Sequence, residues 1–228
     1  MSSRCKTAAV FAASAVAAAW LTCGAAFAGD SPANKAVLAE ADTILGQMQA
    51  SRYSHKTEVD AGKGIFNVDC SGLVRLILKR AAPASLAQIV PEKEYPQPRA
   101  VAFYNAFLGA PEQLPAVGWQ RIKCIASCEP GDFIAWRKSV IPAKGTSGHV
   151  LIVREKPVRE DDGSFRVKVL DSCSTPHAMD SRPKGASGIG TGTMWFMVND
   201  NGELVAFRWS DQKKTPTRLK IAIGRAIR

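Results

Sequence analysis

Asp69-Cys70-Ser71-Gly72-Leu73-Val74-Arg75-Leu76-Ile77-Leu78-Lys79-Arg80 reads as an amphipathic helix that begins on a cysteine. Asp69 is a good N-cap, and Leu73, Val74, Ile77 and Leu78 recur at the spacing of one buried helical face. A helix N-terminus presents unpaired N–H groups and partial positive charge, which favour thiolate over thiol. The same groups can hold an oxyanion beside an attacking sulfur. Taken alone, such a cysteine is more simply a small apolar residue starting a core helix, so the choice rests on the rest of the chain.

Upstream of this helix, Ser31-Pro32 is a capped helix start, and Val37, Ala41, Ile44, Leu45 and Met48 mark an amphipathic helix through about Gln49. Residues 52–68 read as a loop. Downstream, the cysteine helix ends near Arg80 ahead of Pro83, and the Pro- and Ala-rich stretch 84–116 holds one further helix around Ala100 to Leu108. After Trp119 the pattern changes to short strands. Pro130-Gly131-Asp132 is a turn feeding Phe133 to Trp136, Gly148 opens a strand through Val153, and Phe165 to Asp171 return as another after a turn at 160–163. Met194 to Val198 and Glu203 to Trp209 form a hairpin around Asn201-Gly202, and Leu219, Ile221 and Ile223 alternate as a last strand. Helices first and antiparallel strands second mean an α+β domain.

The first 28 residues read as a secretory signal peptide: Arg4 and Lys6, an apolar run from Ala8 to Leu21, then Ala26-Phe27-Ala28 before a cleavage point. The expected mature protein, residues 29–228, is exported to the periplasm or beyond and forms one domain without a transmembrane segment. Cys23 offers a lipoprotein alternative, with Trp20-Leu21-Thr22 a poor lipobox. The full chain has a net charge of +10, and loss of Arg4 and Lys6 leaves +8. That sign suits an anionic envelope polymer as partner. Scattered basic residues and few aromatics argue against nucleic acid.

Four cysteines remain after residue 28: Cys70, Cys124, Cys128 and Cys173. Cys124 and Cys128 are close enough to close a small loop, and Cys173 is either a second free thiol or a redox partner for Cys70. The paired spacing of a structural zinc site is absent, and no metal or cofactor is expected.

A cysteine nucleophile needs a base and a third group that fixes the imidazole. Of His55, His149 and His177, His149 is the best base because it opens a strand whose same-face partners, Leu151 and Val153, are apolar. On the returning strand Phe165, Val167 and Val169 share one face, and the period of two places Asp171 next on it. Asp171 either accepts the imidazole N–H or caps the following loop. His177, in the polar, Gly-rich segment 172–192, replaces Asp171, contacts substrate or has no role. Tyr53 either donates a hydrogen bond near the sulfur or packs.

Asp69-Cys70-Ser71-Gly72-Leu73-Val74, Pro130-Gly131-Asp132-Phe133 and Gly148-His149-Val150-Leu151-Ile152-Val153 together resemble the three successive signatures of the NlpC family. These are papain-like cysteine peptidases that cut bacterial cell-wall peptides, and the resemblance spans roughly residues 50–172. It implies a papain-like fold with N-terminal helices packed on an antiparallel sheet, a nucleophile at Cys70, a base at His149 and a third polar residue at Asp171. It also implies peptidoglycan or its peptides as partner, with Tyr53, Ser71 and His177 as substrate-binding candidates. Aspartate in the third position is uncommon there, the Gly-Gly that often follows the upstream tyrosine is replaced by Ser54-His55-Lys56-Thr57, and the tail from Ser172 is longer than that fold needs. An amidase or acyltransferase for a small or lipid-linked substrate, and a non-catalytic envelope-binding module, are the other readings.

Overall fold

The protein is described here by a computed structural model covering residues 31–227; the expected signal peptide and Cys23 lie outside the described residues. Helix α1 spans Pro32–Gln47, and strands β1 (Ala50–Tyr53), β2 (Glu58–Asp60) and β3 (Ile65–Val68) follow it. Helices α2 (Cys70–Ala81), α3 (Pro83–Ala87) and α4 (Ala100–Gly109) come next. The rest is strand: β4 (Gly118–Ile122), β5 (Phe133–Arg137), β6 (Gly148–Val153), β7 (Val158–Arg159), β8 (Phe165–Cys173), β9 (Gly188–Val198), β10 (Leu204–Arg208), β11 (Thr217–Arg218) and β12 (Lys220–Ile227). The architecture is α+β, with the helices gathered before a large antiparallel sheet.

That sheet runs in the order β11-β10-β9-β8-β6-β5-β12-β4, with β7 added on β8. Its central strands are buried on both faces. One face carries Phe133, Ala135, Val150, Ile152 and Leu170 against α1, α2 and α4, whose Val37, Ala41, Leu73, Ile77, Phe103 and Phe107 recur at helical spacing. The other face carries Ile134, Leu151, Val153, Val167, Val169, Phe196 and Phe207 in a second core. Strands β10 and β12 touch although β9, β8, β6 and β5 lie between them in sheet order. The sheet therefore curls onto itself and covers its second core without helices. This is why β5 and β6 read as continuous apolar runs and not as alternating strands.

The segment expected as a loop, 52–68, instead holds most of a small three-stranded sheet in the order β1-β3-β2, with β1 parallel to β3. Its strands have only three or four residues, and among them Phe66 and Val68 alone face the core fully. So short a period-two signal among polar residues does not stand out. The expected loop 172–192 is likewise shorter: β8 runs on to Cys173 and β9 starts at Gly188. Cys128 is a free, buried thiol, so Cys124 and Cys128 do not close a disulfide loop; the short helical turn at 125–127 separates them.

The Pro130-Gly131-Asp132 turn ties the layers together. Asp132 is fully buried and accepts from Asn34 Nδ2 of α1 (2.9 Å), from Arg225 Nε and Nη2 of β12 (both 2.8 Å), and from the Glu129 N–H (2.8 Å). Every lone pair of the carboxylate is engaged, which is the condition for burying a charge at tolerable cost. Arg225→Leu should lower unfolding stability by about 3–5 kcal/mol, because it strands that carboxylate in the interior. Urea denaturation measures it, and Asp132→Asn added to Arg225→Leu should recover part of the loss.

Candidate active site

Cys70 is the first residue of α2, and Asp69 caps that helix by accepting from the Gly72 N–H (2.7 Å) and the Ser71 hydroxyl (2.8 Å). The thiol is 4% exposed. Its imidazole partner comes from β6: His149 interacts electrostatically with Cys70 on one side, and on the other its Nε2 donates to Asp171 Oδ2 at 2.6 Å. With Nε2 committed to the carboxylate, Nδ1 is the nitrogen that faces sulfur.

Sheet geometry explains the convergence. Registered pairs between β6 and β8 are Ile152 with Leu170 and Val153 with Val169. Counting back along both strands puts His149 diagonal to Asp171 on the same face, offset by two residues and not directly across. The pairing stops there, so the two strands part where the polar residues stand. Helix α2 packs over both strands from the opposite face, and its N-terminal cysteine reaches His149 at that opening. Ser172 Oγ fixes the end of β8 beside the helix start by donating to the Val68 carbonyl (2.6 Å).

His149 lies between two indoles, with Trp136 directly across the β5–β6 ladder at 5.0 Å and Trp209 edge-on at 5.5 Å. Burial alone would push the imidazole pKa down. The negative charge of Cys70 and the hydrogen bond to Asp171 outweigh burial, raising it from 6.5 to about 10. Asp171 is driven the other way: burial opposes ionisation, but His177 and His149 hold its carboxyl well below the usual carboxylate range.

His177 occupies a different place from a substrate contact. Its side chain is fully buried behind Asp171, donates from Nε2 to Oδ2 at 2.8 Å and stacks under Trp209 at 4.1 Å. A third donor, Arg182 Nη2, meets Asp171 Oδ1 at 3.2 Å. Arg182 is oriented by Asp180, which accepts from its Nε (2.7 Å) and Nη2 (2.6 Å), and also from the His177 N–H (2.7 Å). The segment carrying both residues lies flat on β9 because Gly190 and Gly192 have no side chains. A Cβ on Gly190 would sit 2.6 Å from Arg182 Nε, and one on Gly192 would sit 2.7 Å from His177 Cβ.

Cys173 belongs to this buried cluster. Arg182 Nη1 lies 2.7 Å from its sulfur, and burial with the Asp171 charge pushes the thiol well above its ordinary pKa. It is held as a free thiol, a poor partner for disulfide exchange. Asp171, Cys173 and His177 place one O, S and N donor within 4.8 Å of one another, a spacing that a metal ion could use. Two of these donors, Asp171 and Cys173, are engaged by the Arg182 guanidinium.

On the open side of Cys70 stand Tyr53 and Ser71. The Tyr53 phenol is held well above its usual pKa by burial and then by the charges of Cys70 and Asp69, with Thr146 offsetting part of the shift. Ser71 is buried and its hydroxyl is spent on Asp69. His55 lies edge-on to Tyr53 at 5.3 Å with its Nδ1 3.1 Å from Asp69 Oδ2, outside the Cys70–His149–Asp171 line. Sequence reasoning singled out Cys70, His149 and Asp171 but missed Trp136, Thr146, Asp180, Arg182 and Trp209. The Gly188-Ile189-Gly190-Thr191-Gly192 alternation is the one local signal that something must press against β9.

The chain is 29% identical over 165 residues to an uncharacterized protein of Acanthamoeba polyphaga mimivirus, covering 64% of this chain and 70% of that protein. No family model matches the sequence, and no solved structure matches the fold.

Proposed function

We propose that the protein is a thiol hydrolase of papain-like architecture that cleaves amide bonds in cell-wall peptides. The observation that carries this reading is the succession of the Cys70 thiol, His149 and the Asp171 carboxylate at the start of a helix, where the neighbours of Cys70, Asp69 and Ser71, line an open groove. Cell-wall peptides are favoured as substrate class by the order and spacing of the three motifs that resemble NlpC peptidases, and by the basic balance of the chain.

In this mechanism the Cys70 thiolate attacks the amide carbonyl, and the Cys70 N–H at the helix N-terminus helps hold the oxyanion. His149, protonated by the thiol, gives its Nδ1 proton to the departing amine as the C–N bond breaks. Water then attacks the thioester, His149 accepts its proton, and the acid product leaves with the thiol restored. Asp171 keeps the imidazole in the productive tautomer throughout, and its three donors keep it charged at neutral pH.

Three outcomes are expected. Cys70→Ala should abolish release of stem-peptide fragments from purified peptidoglycan with the circular dichroism spectrum unchanged, and Asp171→Ala should lose less than His149→Ala. Release that persists in Cys70→Ala, or a loss confined to lipid-linked or small amide substrates, would overturn the assignment. Gly192→Ala forces a Cβ against His177 and Asp180, so kcat should drop by about 100-fold through displacement of the Asp171 support. The pH profile follows from His149. Its folded value of about 10 exceeds the ordinary 6.5, so the imidazolium's contribution to stability is complete below pH 6.5 and is lost as pH rises through about 10. Hydrolysis should fall over that alkaline range as the general acid deprotonates, while alkylation of Cys70 by iodoacetamide should not.

A further inference from the structure

Helix α2 does more than present Cys70: one of its faces is the floor of a groove. Ser71, Arg75 and Lys79 follow each other at intervals of four, and residues 95–98, Tyr95-Pro96-Gln97-Pro98, form the facing wall. Two adjoining cavities of about 610 and 540 Å³ make up this groove, and Arg75, Thr57 and Gln97 line both.

Arg75 sits at the junction in an unusual state for a half-buried guanidinium. Its Nη1 donates to Gln97 Oε1 and its Nη2 to Thr57 Oγ1 (3.4 Å), both neutral acceptors. Its Nε is shielded from solvent and has no acceptor. Among the described residues no carboxylate forms an ion pair with Arg75 or with Lys79. The carboxylate that feels Arg75 most, Asp69, is already engaged by the Gly72 N–H, Ser71 and His55. Elsewhere in the interior this protein pairs its arginines: Arg225 with Asp132, and Arg182 with Asp171 and Asp180. Arg99, which lines the same groove, is paired with Glu92, whereas Arg75 faces the groove with no carboxylate paired to it among the described residues. A planar guanidinium held at its edges by neutral groups is suited to receive a carboxylate.

We propose that Arg75 is a carboxylate-recognition site that makes the enzyme selective for peptides with a free acid near the scissile amide. Arg75 follows Cys70 by five positions, an axial rise of about 7.5 Å with a turn of about 140° around the helix, and Ser71, which adjoins Cys70, lines the groove together with Arg75. The recognised acid therefore lies within a few residues of the bond that is cut. Lys79, one turn further on, draws the anionic chain along the groove. This rests on the reading of Cys70 as the nucleophile, and it adds the chemical feature that selects the substrate.

The test compares two affinity labels on the full chain: chloroacetyl-Gly-Glu and the same compound with both acids as carboxamides, with mass spectrometry locating the adduct on Cys70. The acid should label at least tenfold faster at low salt, and the ratio should fall toward one in Arg75→Gln while Arg75→Lys keeps part of it. Lys79→Gln should reduce the ratio by about twofold, and 0.5 M salt should shrink it in every variant. Equal rates for both labels, or a ratio that survives Arg75→Gln, would overturn the proposal. Failure of the carboxamide label to react faster than free cysteine would count against the nucleophile instead. In that event calorimetry on Cys70→Ala decides the site independently. Acetyl-Gly-Glu should bind at least tenfold more tightly than its diamide, and equal or undetectable binding refutes the carboxylate site.

Discussion

The Asp171 carboxylate has no access to water, and the architecture around it follows from that condition. An ionised carboxylate left unpaired in the interior costs several kcal/mol, so the fold must deliver donors to it from separate parts of the chain. Three arrive: His149 from β6, His177 and Arg182 from the segment ahead of β9. Each delivery imposes a further requirement. His149 must keep its proton on Nε2, which turns Nδ1 toward Cys70. Arg182 needs Asp180 to offset and aim it, and His177 needs the Trp209 ring above it. The segment that carries both can lie close only because β9 is bare at Gly190 and Gly192. A single buried charge thus links the tautomer of the base to the composition of a strand that never touches the thiol.

The second constraint is where sheet and helix meet. Cys70 belongs to the core under the helices, whereas Leu151, Val153 and Val169, the row that leads to His149 and Asp171, belongs to the core inside the curled sheet. A cysteine and a histidine on opposite sides of a closed ladder would not touch. They touch because β6 and β8 pair only at residues 152–153 and 169–170 and then part. The helix N-terminus meets that opening, and the Ser172–Val68 hydrogen bond keeps it there. The pocket is therefore a property of a local break in pairing, placed at the end of two otherwise buried strands.

This division also explains what could be read from the chain. The cysteine helix, the His149 strand and the face of Asp171 all rest on periodicity within a single element, and that is what local sequence records. Asp171 as partner of His149 was legible because two apolar rows, Leu151-Val153 and Val167-Val169, had to stack with their polar ends together. The offset of two residues was not legible, because it depends on where the ladder opens. Arg182 was invisible for a different reason. A lone arginine in a Gly- and Ser-rich stretch looks solvated, and only the carboxylates brought by β8 and by Asp180 make it a core residue. His177 was ambiguous on the same grounds, and its burial behind Asp171 gives it a supporting role in place of substrate contact. The strands of 50–68 were missed because three or four residues carry too little period to register.

Net charge looks different once the interior is accounted for. Asp132, Asp171 and Asp180 are sequestered with Arg225 and Arg182, so three acids and two arginines contribute almost nothing to the field outside. The basic balance of the sequence is carried by residues outside that set. At physiological ionic strength charges act over about 8 Å, so cations spread across the surface would govern approach to the proposed anionic polymer without reaching the bond to be cut. Arg75 stands on the same helix as Cys70, and in the proposed reading it meets substrate inside a partly desolvated groove where a charge is worth more than it is in water. On the proposed reading, global charge and local selectivity are therefore separable: scattered surface cations would set how often an acidic chain arrives, and Arg75 would set which part of it lies beside the thiol.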